Sequence, residues 1–139
     1  MADPLSLTAS IIAVIDLTSK VVKYLNDVKN ASKERAKCAI EAAYLQSLLL
    51  NLRFRIEEES SSELWLTTVK SLSSENGPLD EYKQALKELE RKLEPEDNAL
   101  KRAATALAWK FSKEEIENIL SKMERLKSLI QIALQMDHM

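Results

Sequence analysis

A chain of 139 residues has the length of one domain with one sizeable core, and one glycine, three prolines and 5% aromatics are too few turn-formers and ring residues for an all-β or α/β fold. The expectation is an all-α fold in a single domain over 1–139. Lys+Arg 20 against Asp+Glu 22 leaves −2 with the signs interspersed, which excludes the basic face that nucleic acid demands and the polybasic cluster that reads anionic lipid.

The first predicted helix runs from Leu5 to Val28. Leu7, Ile11, Val14, Thr18, Val21, Leu25 and Val28 recur at alternating steps of four and three, and Leu5, Ile12, Ile15 and Val22 widen the same side. Asp3 and Pro4 suit a helix start, the first by its charge and the second by its fixed φ. Ser32 is the expected N-cap of a long second helix with the stripe Cys38, Ala42, Leu45, Leu49, Leu52 and Ile56, helped by Leu48 and Tyr44. Glu57, Glu58 and Glu59 near its end oppose the macrodipole.

Ser60 and Glu63 have the spacing of a capping box, opening a short helix through Leu64, Trp65, Val69 and Leu72. Asn76-Gly77-Pro78 stops it, and Pro78 fits the first turn of a helix with the stripe Leu79, Tyr82, Leu86, Leu89 and Leu93. Glu94-Pro95-Glu96 ends that one, and a brief alanine-rich helix is expected from about Asn98 to Ala108. Ser112 and Glu115 form a second capping box, with Phe111 and Ile116 placed as a hydrophobic staple. Ile116, Ile119, Met123, Leu126, Ile130 and Ala133 carry the last helix. Such helices pack most simply as an antiparallel four-helix-bundle-like domain with additional short helices. The last helix is still apolar at Leu134 and Met136 where the sequence stops, so the chain is expected to be the N-terminal piece of a larger protein, with a natural C-terminus as the alternative.

Chemistry finds little footing. His138 is the one histidine and stands at the end, and one Cys with one His cannot complete a zinc site. A single glycine rules out a glycine-rich phosphate loop, and the adjacent Glu114 and Glu115 do not share a helix face. No catalytic, cofactor-binding or metal residue is expected, and enzyme is the weakest class. Cys38 falls on an apolar stripe as a small core residue, and the absence of any second cysteine suits a cytoplasmic protein. Trp65 and Trp109 fit either core packing or a membrane interface. Glu81, Lys83, Lys87, Glu88, Glu90 and Arg91 make a charged face, solvated or a partner surface; Lys83 and Arg91 both repel Lys87 at i,i+4, so that helix must lean on packing.

The first helix carries the strongest functional signal. Its outer side up to Ala13 holds only Ser6, Ala9, Ser10 and Ala13, before Asp16, Lys20, Lys23 and Asp27 appear. Small residues let helices approach closely in lipid, where a hydroxyl is far cheaper to bury than a charge. The uncharged run Pro4 to Ile15 is twelve residues, short of the ~20 that span a bilayer. The apolar stripe therefore has two destinations, a bundle core or a membrane.

The opening Met-Ala-Asp-Pro-Leu-Ser-Leu-Thr-Ala-Ser-Ile-Ile-Ala-Val, the Asn76-Gly77-Pro78-Leu79 turn and the segment Trp109-Lys110-Phe111-Ser112-Lys113-Glu114-Glu115 together resemble the HeLo-like N-terminal domain of fungal NOD-like (STAND) receptors. The resemblance covers nearly the whole chain. It implies a helical bundle followed, in the full receptor, by a nucleotide-binding oligomerisation module. It also implies kinship with fungal HeLo domains of heterokaryon incompatibility, with plant resistance proteins and with the mixed-lineage-kinase-like pseudokinase. Those execute programmed cell death by self-association and permeabilisation of the plasma membrane. By that resemblance the membrane-inserting candidates are Leu5, Leu7, Ile11, Ile12, Val14, Ile15 and Leu17, with Asp16 lining a pore. The implied partners are membrane lipids and further copies of the chain, with a cytoplasmic protein moving to the plasma membrane on activation. The alternative is a signalling or oligomerisation module that never enters lipid and recruits a partner through a helix face.

Overall fold

A computed structural model describes residues 4–27, 33–58, 62–93 and 111–136, with side chains described from Ser6 onward. The helices among them are α1 (Pro4–Asp27), α2 (Lys33–Glu57), α3 (Glu63–Leu72), α4 (Pro78–Leu93) and α5 (Lys113–Met136). The fold is all-α, with no strand among the described residues. Val28, Ser32, Ser60, the brief helix expected near Asn98 to Ala108, Trp109 and His138 lie outside them.

Local chemistry sets the ends. At the head of α5 the Ser112 N–H donates to Glu115 Oε1 at 3.2 Å and the Glu115 N–H donates to Ser112 Oγ at 3.1 Å, so the expected box closes in both directions. Phe111 and Ile116, on either side of it, both enter the core. The expected box at the head of α3 is displaced: Ser62 is the cap, accepting from the Trp65 N–H at 3.1 Å, and Glu63 becomes the first helical residue. Three consecutive serines offer three equivalent caps, and the one two residues later turns Trp65 inward.

The turn between α3 and α4 divides its work between two residues. Asn76 takes the left-handed conformation (φ 60) and its N–H donates to Asp80 Oδ2 at 3.1 Å. At Gly77 the constraint is space, because a Cβ there would lie 2.6 Å from Ser74 Oγ and 2.9 Å from the Ser74 carbonyl. Pro78 then opens α4 with the φ a first turn needs.

The long helices form a ring in which α1 touches α2 and α4, and α5 touches α2 and α4, with α3 set against α5. The chain reverses at each long helix. Arg35 at the head of α2 donates to the Leu25 carbonyl near the end of α1 at 2.7 Å, so those two are antiparallel. Lys92 pairs with Glu115 and Arg125 with Glu81, so α4 and α5 are antiparallel as well. The two hairpins stand side by side with like directions in contact: Thr18 meets Tyr82 and Lys20 meets Glu90 between α1 and α4, and Glu41 meets Lys127 between α2 and α5. The connection through α3 carries the chain across the bundle and produces this arrangement.

The core is one apolar cluster to which every helix contributes. The predicted stripe of α2 is buried throughout, and so are Ile116, Ile119, Met123, Leu126, Ile130 and Ala133 of α5. Trp65 is a core residue at 3% exposure, its indole N–H donating to the Ala133 carbonyl at 2.7 Å, which ties α3 to α5. Two residues placed on apolar stripes face outward instead: Leu64 is 74% exposed and Tyr44 46%. Tyr44 sits at the rim of its stripe, where its hydroxyl accepts from Gln131 Nε2 at 2.9 Å.

Candidate functional site: the first helix

The candidate residues of α1 divide by depth. Leu7, Ile11, Val14 and Ile15 are buried at 1, 1, 2 and 7% exposure, whereas Ile12 and Leu17 are half-buried at the rim and Asp16 faces solvent. Leu5 belongs to α1, but its side chain lies outside the described set. Every helical turn from Leu7 to Leu25 thus places a large apolar side chain or Thr18 against α2 and α4. Beneath the first turns lies a cavity of about 10 Å³, bounded by Leu7, Ile11, Leu49, Val69, Leu79 and Ile130 among other residues. That is room for about one water and, with an apolar wall, no partners to hold it. Around Leu7 and Ile11 the seat of α1 is closely filled.

The outer face is unlike the inner one. Ser6, Ala9, Ser10 and Ala13 are exposed, and no formal charge occurs on α1 before Asp16. The second half of α1 carries polar ties to its neighbours. Thr18 is the buried polar residue of the core; its hydroxyl donates to the Val14 carbonyl and lies 2.8 Å from the Tyr82 hydroxyl. Burial pushes the Tyr82 phenol well above its ordinary value, with the Thr18 hydrogen bond acting weakly against it. Lys20 reaches Glu90 at 3.0 Å, and the Leu25 carbonyl takes the Arg35 guanidinium. The first half of α1 seats four large aliphatic side chains in the core, and the second half adds the Thr18, Lys20 and Leu25 contacts to its own packing.

Moving that first half carries a definite cost. Exposing a large buried apolar side chain costs roughly 1.5–3 kcal/mol, so four of them amount to about 6–12 kcal/mol. A whole domain of this size is stable by only about 5–15 kcal/mol. The amount is recovered only if the same side chains are covered again elsewhere. No helix among the described residues is long and apolar enough to cross a membrane.

Elsewhere the titratable groups serve structure. Burial pushes the Cys38 thiol up to about 11, opposed weakly by Lys37, which leaves it protonated and unreactive at neutral pH. Glu115 is held below the usual carboxylate range, first by its hydrogen bond with Lys92 and then by the Ser112 backbone. On the charged face of α4, Glu81 pairs with Arg125 of α5 and Glu90 with Lys20 of α1. Among the described residues no three metal-capable side chains gather.

Sequence periodicity missed one feature. Ile40, Leu50 and Phe54 project outward from α2 at 67, 36 and 64% exposure. The signal was present as a run from Cys38 to Leu52 with Glu41 as its single charge, apolar around the whole helix rather than along one stripe. No protein-family model, curated protein or solved structure matches the chain.

Proposed function

We propose that this domain is the cell-death execution module of a fungal NOD-like immune receptor, a HeLo-like bundle that permeabilises the plasma membrane when its receptor oligomerises. The observation that carries the proposal is the construction of the first half of α1. It is uncharged from Pro4 to Ile15, seats Leu7, Ile11, Val14 and Ile15 in the core, and is faced outward with residues small enough for a second helix to approach. The resemblance of the opening and of the Trp109 to Glu115 segment to that family supports the same reading.

In the proposed mechanism the isolated bundle stays closed, because releasing α1 costs about as much as the domain's own stability. The nucleotide-binding oligomerisation module of the full receptor brings copies together at high effective concentration. Leu7, Ile11, Val14 and Ile15 then exchange the core for lipid and for one another, with Leu5, Ile12 and Leu17 completing the apolar side. Asp16 faces the water-filled interior, and the protein moves from cytoplasm to membrane.

The test is dye release from vesicles by the purified domain, as a monomer and fused to an oligomerising scaffold. Ile11 is too deeply buried for a charged variant to be informative, so the probe is Ala13→Glu, at an exposed position that leaves the core intact. Release from the oligomer alone, abolished by Ala13→Glu, is the expected result. Release unaffected by that charge, or none from the oligomer, refutes the mechanism. A second reading, a signalling module that recruits a partner without entering lipid, is favoured by the exposed apolar residues of α2.

A further inference from the structure

The outward face of α2 has a symmetry in its sequence. Ile40 and Phe54 stand seven residues on either side of Ser47, Ala43 and Asn51 four, and Tyr44 and Leu50 three. All of these are exposed, and at 100° per residue they lie on the side opposite the buried stripe Cys38, Ala42, Leu45, Leu49 and Ile56. Ala43, Ser47 and Asn51 along the middle are small and uncharged, Tyr44 and Leu50 flank them, and Ile40 and Phe54 lie toward the two ends.

We propose that this face pairs with the same face of a second copy of the chain, as an antiparallel α2–α2 contact with its two-fold axis at Ser47. In that register Ile40 of each copy meets Phe54 of the other, and the small Ala43 and Ser47 let the helices approach closely. Charge complementarity selects the antiparallel direction. Lys33 and Lys37 stand at the start of this face and Glu58 at its end, so an antiparallel partner sets its Glu58 level with Ala36, between the two lysines. A parallel pair would oppose lysine to lysine and glutamate to glutamate. The two helix dipoles also run in opposite senses in this arrangement. Roughly twenty residues of helix, about 30 Å at 1.5 Å per residue, are engaged on each side, and the contact is isologous, so it closes at two copies. The inference stands apart from the membrane reading, because the contact forms or fails without lipid.

Sedimentation of the purified 139-residue domain over a concentration series tests it. The wild type is expected to show a reversible monomer–dimer equilibrium. Phe54→Glu and Ile40→Glu should each raise the dimer dissociation constant by roughly thirtyfold or more, as loss of a buried apolar anchor does, with an unchanged helical circular-dichroism spectrum. Glu58→Lys should weaken the dimer, and adding Lys33→Glu with Lys37→Glu should restore it. Ser47→Cys should cross-link to its own copy with a short bis-maleimide, whereas Ile40→Cys alone should not. A wild type that stays monomeric, dimers indifferent to Phe54→Glu, or cross-linking through position 40 rather than 47 would overturn the proposal. So would a monomer that binds neutral lipid vesicles through Phe54, which assigns the face to a membrane.

Discussion

Helices α1 and α2 are nearly the same length, both rich in aliphatic residues, and packed against each other, yet they distribute those residues in opposite ways. In the first half of α1 the large side chains go inward and the outside is left to serine and alanine. In α2 the inward stripe is complete, and a second set of large side chains remains in water. Hydrophobic content alone does not tell what a helix is for. A helix with one apolar side and a small, weakly polar back satisfies its bundle and still has a back that a membrane or another helix can accept. A helix apolar on both sides has more surface than its own fold can cover.

Truncation should separate the two sets most sharply. Ile11→Ala, in the α1 seat, is expected to cost about 2–5 kcal/mol of unfolding free energy, because the closely packed surroundings cannot collapse into the space. Phe54→Ala on the outside of α2 should change the stability of the monomer by less than about 0.5 kcal/mol. Urea unfolding at low protein concentration reads both, and similar costs at the two positions would break the comparison.

A smaller effect probes the polar half of α1. Tyr82→Phe removes the phenol that meets Thr18 but leaves the Thr18 bond to the Val14 carbonyl in place. A loss of about 0.5–1.5 kcal/mol is expected. Amide exchange should quicken around Thr18 more than around Leu7, because the tie lies in the second half of the helix.

The inner face of α2 gives the mildest test. The Cys38 thiol is neutral and buried, with its ionisation raised from 9.0 to about 11. A raised acid value means that the folded state keeps a proton the unfolded chain gives up. The contribution is therefore fully present below 9 and is lost as the pH climbs toward 11. Below that window iodoacetamide should label Cys38 only as fast as the domain opens, and rapid labelling of the folded protein would place the thiol at the surface.

Most of this architecture is legible in the sequence because its helices declare themselves twice, in period and in capping. The last helix is the plainest case, where the Ser112–Glu115 box and the stripe from Ile116 to Ala133 agree with each other and with the fold. The α3 cap was displaced because capping chemistry cannot choose among neighbouring serines; the packing of Trp65 chose Ser62. The side-by-side placing of like-directed helices was not legible, since periodicity fixes which face is buried and says nothing of which helix covers it. The candidate residues of α1 were legible as an apolar face, and the burial of Leu7, Ile11, Val14 and Ile15 follows from that. The outer apolar set of α2 was not legible, since the stripe from Cys38 to Ile56 alone satisfies the helical period and leaves the facing of Ile40, Leu50 and Phe54 unspecified.

The most direct measurement of the central claim follows α1 itself. A polarity-sensitive fluorophore on Ser10→Cys, exposed on the first half of α1, is compared with one on Asn118→Cys, exposed on α5; buried Cys38 leaves the added thiol as the reactive one. When the scaffold-oligomerised domain meets vesicles, emission at position 10 should shift to the blue in a lipid-dependent way while that at 118 does not. An unchanged spectrum at position 10 during vesicle leakage would show that the first helix stays in its bundle, and would contradict the account.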